Sequence, residues 1–184
     1  LAAAPHRPVI LTWGLLGEGK GIEWGIEAMS LLRDLEVLPE YRIVGQTHPK
    51  VLEFEGERYR ARLEHRVREF GVSDLVTFDA RYMTTPALQR VVQQADIVLL
   101  PYDSRDQVTS GVLVEAVTAG KPIISTRFPH AVELLSGGMG VLVERGSAVD
   151  IADAVRAILT IPNRAAEMSA LSLEAAPDLL WPAV

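Results

Sequence analysis

The sequence contains no cysteine. Disulfide frameworks and thiolate metal sites are thereby excluded, and a reducing, cytoplasmic setting is expected. Long apolar runs are missing as well: none approaches the roughly 20 residues of a membrane span, and no signal peptide is expected ahead of the first strand. Positive charge is scarce. With 18 Lys and Arg against 24 Asp and Glu, the net charge is −6, so neither nucleic acid nor acidic lipid is expected as the main partner, because both demand a basic surface. Any anion site must therefore be local. There is no Asp-x-Asp cluster, and His6, His65 and His130 lack metal-ligand spacing, so no metal is expected.

What is present is ordinary globular composition, 48% hydrophobic and 23% charged over 184 residues, enough for one domain with a real core. The chain opens on Leu-Ala-Ala-Ala and closes on Trp181-Pro182-Ala-Val. It is expected to be a piece of a longer protein.

Short apolar runs alternate with amphipathic stretches. Strands are predicted at Val9 to Trp13, Tyr41 to Val44, Leu75 to Phe78, Ile97 to Leu100, Pro122 to Ser125 and Val141 to Val143. Helices are predicted over 22–35, 57–70 with Gly71 as its end, from a Thr85 cap with Pro86 at its first position, over 111–119, 131–135 and 148–159, and after Pro162 to about Glu174. The segment from Gly45 to Gly56, with His48-Pro49, reads as a loop, and residues 175–184 as a tail. Short, nearly all-apolar strands separated by helices indicate a parallel sheet covered on both faces. The expected fold is therefore α/β: a Rossmann-like, doubly wound sheet of about six strands, in the order 3-2-1-4-5-6, with ligands at the carboxyl edge where strands one and four meet.

Two loops open at that edge. Gln107 to Glu115 reads Gln-Val-Thr-Ser-Gly-Val-Leu-Val-Glu and runs from a polar loop into a helix. The first turn of a helix presents unpaired N–H groups and the positive end of the macrodipole, an anion site needing no cation. Thr109 or Ser110 would cap it, and Gly111 would admit a ligand close to the backbone. Glu115 lies one turn deeper on the same face, where a carboxylate could accept from two hydroxyls. Its neighbours Val112, Leu113, Val114, Ala116 and Val117 are apolar, so a buried acid is expected, the alternative being a surface carboxylate. A phosphate above and a diol beside it describe a nucleotide.

The other loop, Gly14 to Gly21, reads Gly-x-x-x-x-Gly-Lys-Gly. It falls one residue short of a P-loop, which requires Ser or Thr at position 21 to hold magnesium, and Gly17-x-Gly19 lacks the third glycine of a dinucleotide fingerprint. What remains is a phosphate loop with Lys20 as a point charge, or a tight turn with a solvated lysine. The arginines at 58, 60, 62, 66 and 68 alternate with Glu57, Glu64 and Glu69, which reads as a salt-bridged solvent face. His48 and His130 fall in loops near the ligand edge.

From about Val9 to Leu159 these features resemble, in order, the C-terminal, donor-binding domain of family 4 retaining glycosyltransferases of GT-B architecture. The residues that carry the resemblance are Lys20-Gly21, Ile43-Val44-Gly45, Ala95-Asp96 through Pro101, Glu115-Ala116, Ala119-Gly120-Lys-Pro122, and Gly140-Val-Leu-Val143. The resemblance implies transfer of a sugar from a nucleoside diphosphate sugar, without metal, to an acceptor held by a missing N-terminal domain, through which any membrane contact would run. Glu115 would hold the ribose, Gly14, Gly17, Gly19, Lys20 and residues Thr109, Ser110, Gly111 and Val112 the diphosphate, and the loop Ala80 to Met83, with Arg81, the base side. Lys20, Gln107 and Glu115 would be the catalytic set. Residues 175–184 would cross back to the N-terminal domain.

Two departures from the family pattern stand out. Gln107 occupies the first position of the Glu, seven residues, Glu signature, and Leu15 stands where many members carry Arg. Glutamine there brings no negative charge to a positive sugar-like transition state. A non-catalytic nucleotide- or partner-binding module, or a sugar-nucleotide epimerase of the same architecture, are the competing expectations.

Overall fold

A computed structural model of the chain describes residues 5–179. Its strands are β1 (Val9–Trp13), β2 (Glu40–Val44), β3 (Val76–Asp79), β4 (Ile97–Leu100), β5 (Ile123–Thr126) and β6 (Gly140–Val143). Its helices are α1 (Ile22–Ser30), α2 (Pro49–Glu55), α3 (Arg58–Glu69), α4 (Thr85–Gln94), α5 (Gly111–Thr118), α6 (Pro129–Leu135), α7 (Ala148–Thr160) and α8 (Arg164–Leu179). The six strands form one sheet in the order β3-β2-β1-β4-β5-β6, every pair parallel. This is the doubly wound arrangement expected from the sequence, with the winding reversing between β1 and β4.

Alternation along each strand feeds two separate cores. Ile10, Tyr41, Ile43, Ile97, Leu99 and Ile124 pack under α1, α3 and α7. Leu11, Trp13, Val44, Val98, Leu100 and Ile123 pack under α4, α5 and α6. Because both faces are covered, β1, β4 and β6 are nearly all apolar, which is why they stand out in the sequence, whereas β2 and β3 toward one edge also carry Glu40, Arg42, Thr77 and Asp79.

Four element boundaries differ from expectation. Helix α1 stops at Ser30 rather than running to 35; Leu32 and Leu35 still pack against the core, so the apolar spacing outlives the helix. The segment 45–56 is not a loop throughout, because it contains α2, capped by the His48 side chain accepting from the Lys50 amide at 3.2 Å, with Pro49 at its first position. Helix α2 buries no residue and so leaves no apolar periodicity to read. The cap position of α4 is Thr84, not Thr85. Helix α8 continues past Glu174 to Leu179, and Ala175 and Leu179 pack on the α4–α6 core. Residues 175–179 of the expected tail are thus helical, whereas Trp181 and Pro182 lie outside the described residues.

The arginine-rich face of α3 is only partly solvated. Arg62 and Arg66 pair with Glu18 and with Glu27 and Glu69. Arg60, however, turns inward: its side chain is 11% exposed and donates to the Gly45 carbonyl at 2.7 Å. Alternating charge along α3 conceals this, because the register of Arg60 to β2 is a tertiary fact.

Candidate functional site

The loops after β1 and β4 are locked together at the carboxyl edge. The Gly19 carbonyl accepts from the amides of Asp103 and Ser104, both at 3.2 Å. Gly21, at φ 63, lies so close to β4 that a Cβ there would be 1.8 Å from the Pro101 carbonyl oxygen. On the other side, Gly14 (φ 125) meets α5 through Val112, 3.8 Å from where its own Cβ would be. The first loop therefore spans the gap between β4 and the start of α5.

Helix α5 begins as the sequence suggests, with Ser110 rather than Thr109 as its cap. The Ser110 hydroxyl accepts from the Leu113 amide at 3.2 Å, while the amides of Gly111 and Val112 remain as orphan donors of the first turn. Thr109 is exposed. The Tyr102 hydroxyl lies 3.3 Å from Ser110 Oγ, and Lys20 Nζ sits 4.8 Å from the centre of the same Tyr102 ring. Tyr102 therefore links the lysine of the first loop to the helix start of the second. Burial holds the Lys20 ammonium below its usual value and pushes the Tyr102 phenol up. His130 also joins this cluster, its Nδ1 accepting from the Ser110 amide at 3.5 Å while its own amide donates to the Val108 carbonyl.

Glu115 is not buried. Helix α5 hides Leu113, Ala116 and Val117, but Gly111 and Glu115 are exposed and Val112 and Val114 partly so. A helix with apolar residues all round need only bury one flank here, because the other lines a trench of about 560 Å³ between α4 and α5. Glu115 lines that trench with Thr85, Leu88 and Gln89, and its Oε2 accepts from the Trp13 indole N–H at 3.2 Å. A second cavity, about 170 Å³, lies across Trp13 and is lined by Leu15, Gly45, Arg81, Tyr82 and Met83; Leu88 lines both.

Not all the expected residues converge. Gly17 is buried against Val51 and His48 on the α2 side. Gln107 is turned back on its own loop, its amide donating to the Thr109 carbonyl. Arg81 lies beside the second cavity, but its guanidinium is bound to Asp79, 2.6 Å away, which holds that carboxyl at about 2. Trp13 and Tyr102 were not singled out from the sequence. Trp13 ends β1 and Tyr102 lies two residues past β4, and that position at the ligand edge was the only signal. Among the described residues no group of three or more His, Asp or Glu side chains is placed to hold a metal.

Residues 7–160 match the family model described as glycosyl transferases group 1. The chain belongs to this family. Among curated proteins, none matches it in sequence. Among solved structures, the fold is similar to that of Anabaena HepE in complex with UDP-glucose, at TM-score 0.80 and 20% identity, covering 94% of this chain and 44% of that one. Sucrose-phosphate synthase from Thermosynechococcus elongatus aligns at TM-score 0.79 and 24% identity, over 94% of this chain and 41% of that one. The C-terminal domain of the group 1 transferase LpcC from Francisella tularensis aligns at TM-score 0.77 and 17% identity, over 94% of this chain and 85% of that domain. The fold of this group 1 glycosyltransferase chain is thus that of a GT-B half domain, and it spans less than half the length of the first two proteins. No helix of the described residues is long and apolar enough to cross a membrane.

Proposed function

We propose that the chain is the donor-binding half of a retaining glycosyltransferase that takes its sugar from a nucleoside diphosphate sugar. The observation that carries this reading is the Lys20–Tyr102–Ser110 chain of contacts, which ties the only lysine of the first loop, through one ring, to the residue that caps α5. The diphosphate of the donor is already anionic, and breaking its bond to the sugar adds one more negative charge on the terminal phosphate. Oriented amides, the helix dipole and one ammonium would absorb this charge with no metal, since they are fixed before the charge develops. Glu115, one turn down the same helix, would accept the ribose hydroxyls, and the cavity beside Arg81 would take the base. UDP is the first nucleotide to try, because HepE is solved with UDP-glucose. The acceptor, its general base and any membrane contact would belong to an N-terminal domain of the full protein, and the absence of cysteine suits a cytoplasmic enzyme.

Calorimetry with UDP, GDP and ADP tests the reading on wild type, Lys20→Ala and Glu115→Ala. Binding of one nucleotide, weakened by both substitutions, supports it; failure of all three to bind, or unchanged mutants, refutes it. The competing reading, a binding module without catalysis, draws on Gln107, which carries no charge and is engaged with the Thr109 carbonyl. Donor hydrolysis or transfer by the full-length protein eliminates that alternative.

A further inference from the structure

An indole N–H can only donate, and a Trp buried to 5% exposure must find an acceptor or leave a polar group stranded. Trp13 ends β1, and its ring is packed in the α4–α6 core beside Val44 and Leu100. Its N–H turns to no backbone carbonyl. It donates instead to Oε2 of Glu115, an exposed side chain on another element, 102 residues away in sequence. The rigid partner is the tryptophan, and the partner with rotamer freedom to lose is the glutamate.

The bond has a direct consequence for what Glu115 can hold. A carboxylate offers about four acceptor directions; the indole occupies one, on Oε2, and the exposed Glu115 lines the trench with Leu88 and Gln89, so the others are left for a ligand. Two neighbouring hydroxyls on one ring can be accepted together only if the carboxylate plane is already set, because each wrong rotamer breaks one bond or both. We propose that Trp13 is a positioning residue that fixes the Glu115 carboxylate to receive a vicinal diol, and so makes the site discriminate ribonucleotides from their deoxy counterparts. The inference rests on Glu115 being the ribose-binding residue of the proposed function. Trp13 also stands at the divide between the trench and the smaller cavity, since it lines the latter while bonding a residue of the former. A nucleoside lying across Leu88 would therefore have its ribose hydroxyls next to the pinned carboxylate.

The test uses the full-length protein and whichever of UDP, GDP and ADP binds most tightly, together with its 2′-deoxy and 3′-deoxy counterparts. Wild type is expected to prefer the ribonucleotide. Trp13→Phe keeps the aromatic packing and removes the donor; it should reduce that preference by about tenfold, the scale of one charge-assisted hydrogen bond, while affinity for the deoxy forms stays the same. A merely structural role would change all ligands alike. If Trp13→Phe keeps the wild-type preference while Glu115→Ala loses it, the positioning role is wrong and the ribose reading stands. If Glu115→Ala also keeps the preference, the ribose reading itself falls. Should Trp13→Phe not fold, the Trp13 indole N–H decides the matter by NMR. Faster exchange with solvent and a shifted resonance in Glu115→Ala support the bond, and an unchanged resonance overturns it.

Discussion

The Lys20 ammonium rests 4.8 Å from the centre of the Tyr102 ring. Such a contact contributes about 0.5–2 kcal/mol, and it holds the charge at the mouth of the site when no anion is there. Burial lowers the Lys20 value and so disfavours its charged form; a bound diphosphate would raise it again. Nucleotide diphosphate binding is therefore expected to take up protons in the alkaline range, with affinity falling as pH rises through the free Lys20 value. Calorimetry in buffers of different ionisation enthalpy measures this uptake, which should vanish in Lys20→Ala. Equal apparent enthalpies in all buffers would place Lys20 away from the ligand.

Ser110 joins the cap of α5 to Tyr102. Ser110→Ala removes the acceptor for the Leu113 amide and is expected to cost about 1 kcal/mol of stability, which for a chain of this size lowers the thermal midpoint by roughly 2–4 °C. Nucleotide affinity should fall with it, since the first turn frays where the phosphate would sit. A midpoint within half a degree of wild type (about 0.2 kcal/mol by the same scaling) would show that the hydroxyl caps nothing.

Gly21→Ala introduces a Cβ into the Pro101 carbonyl, 1.8 Å away, at a φ of 63. Strain from the left-handed backbone alone is on the order of 1 kcal/mol, and the clash adds more. The substitution is expected to lower stability by more than about 2 kcal/mol in a denaturant titration. Gly71→Ala makes a matched control, with φ 64 and open space around the new methyl; it should cost only the backbone term.

Asp79 is held at about 2 chiefly by its hydrogen bond to Arg81, and its value lies below that of an ordinary aspartate, about 4. A depressed folded-state value means that the pair stabilises above the ordinary value and that this contribution is lost as pH falls through the folded one, so the window runs from roughly pH 4 down to 2. The group is largely solvent-screened, so the effect on stability is small. Carboxyl NMR titration should place the Asp79 midpoint near 2 in wild type and raise it in Arg81→Ala, where the side-chain bond is lost and the backbone amide of residue 81 remains. A midpoint unmoved by that substitution would mean that Arg81 is not its partner and is free for a ligand.

Much of this architecture was legible because it is driven by one-dimensional patterns. Strands buried on both faces read as short apolar runs, and the two glycine-bearing loops mark the carboxyl edge. What escaped notice depends on contacts between distant segments. Helix α2 buries nothing and so has no periodicity, and α1 ends early although Leu32 keeps its apolar spacing. Glu115 was expected to be buried because its neighbours in sequence are apolar, yet burial is set by which flank of α5 meets the sheet. Nothing in the sequence marks Trp13 or Tyr102 beyond their place at or just past a strand end. Their polar atoms matter through partners 102 and 8 residues away.

The Gly19 carbonyl gripping two amides of the opposite loop, with Gly21 flush against Pro101, leaves no slack between the two halves of the cleft floor. Hinge motion in a larger enzyme would thus carry lysine and helix start as one rigid plate. Any motion that separated lysine from helix start would first have to break these contacts.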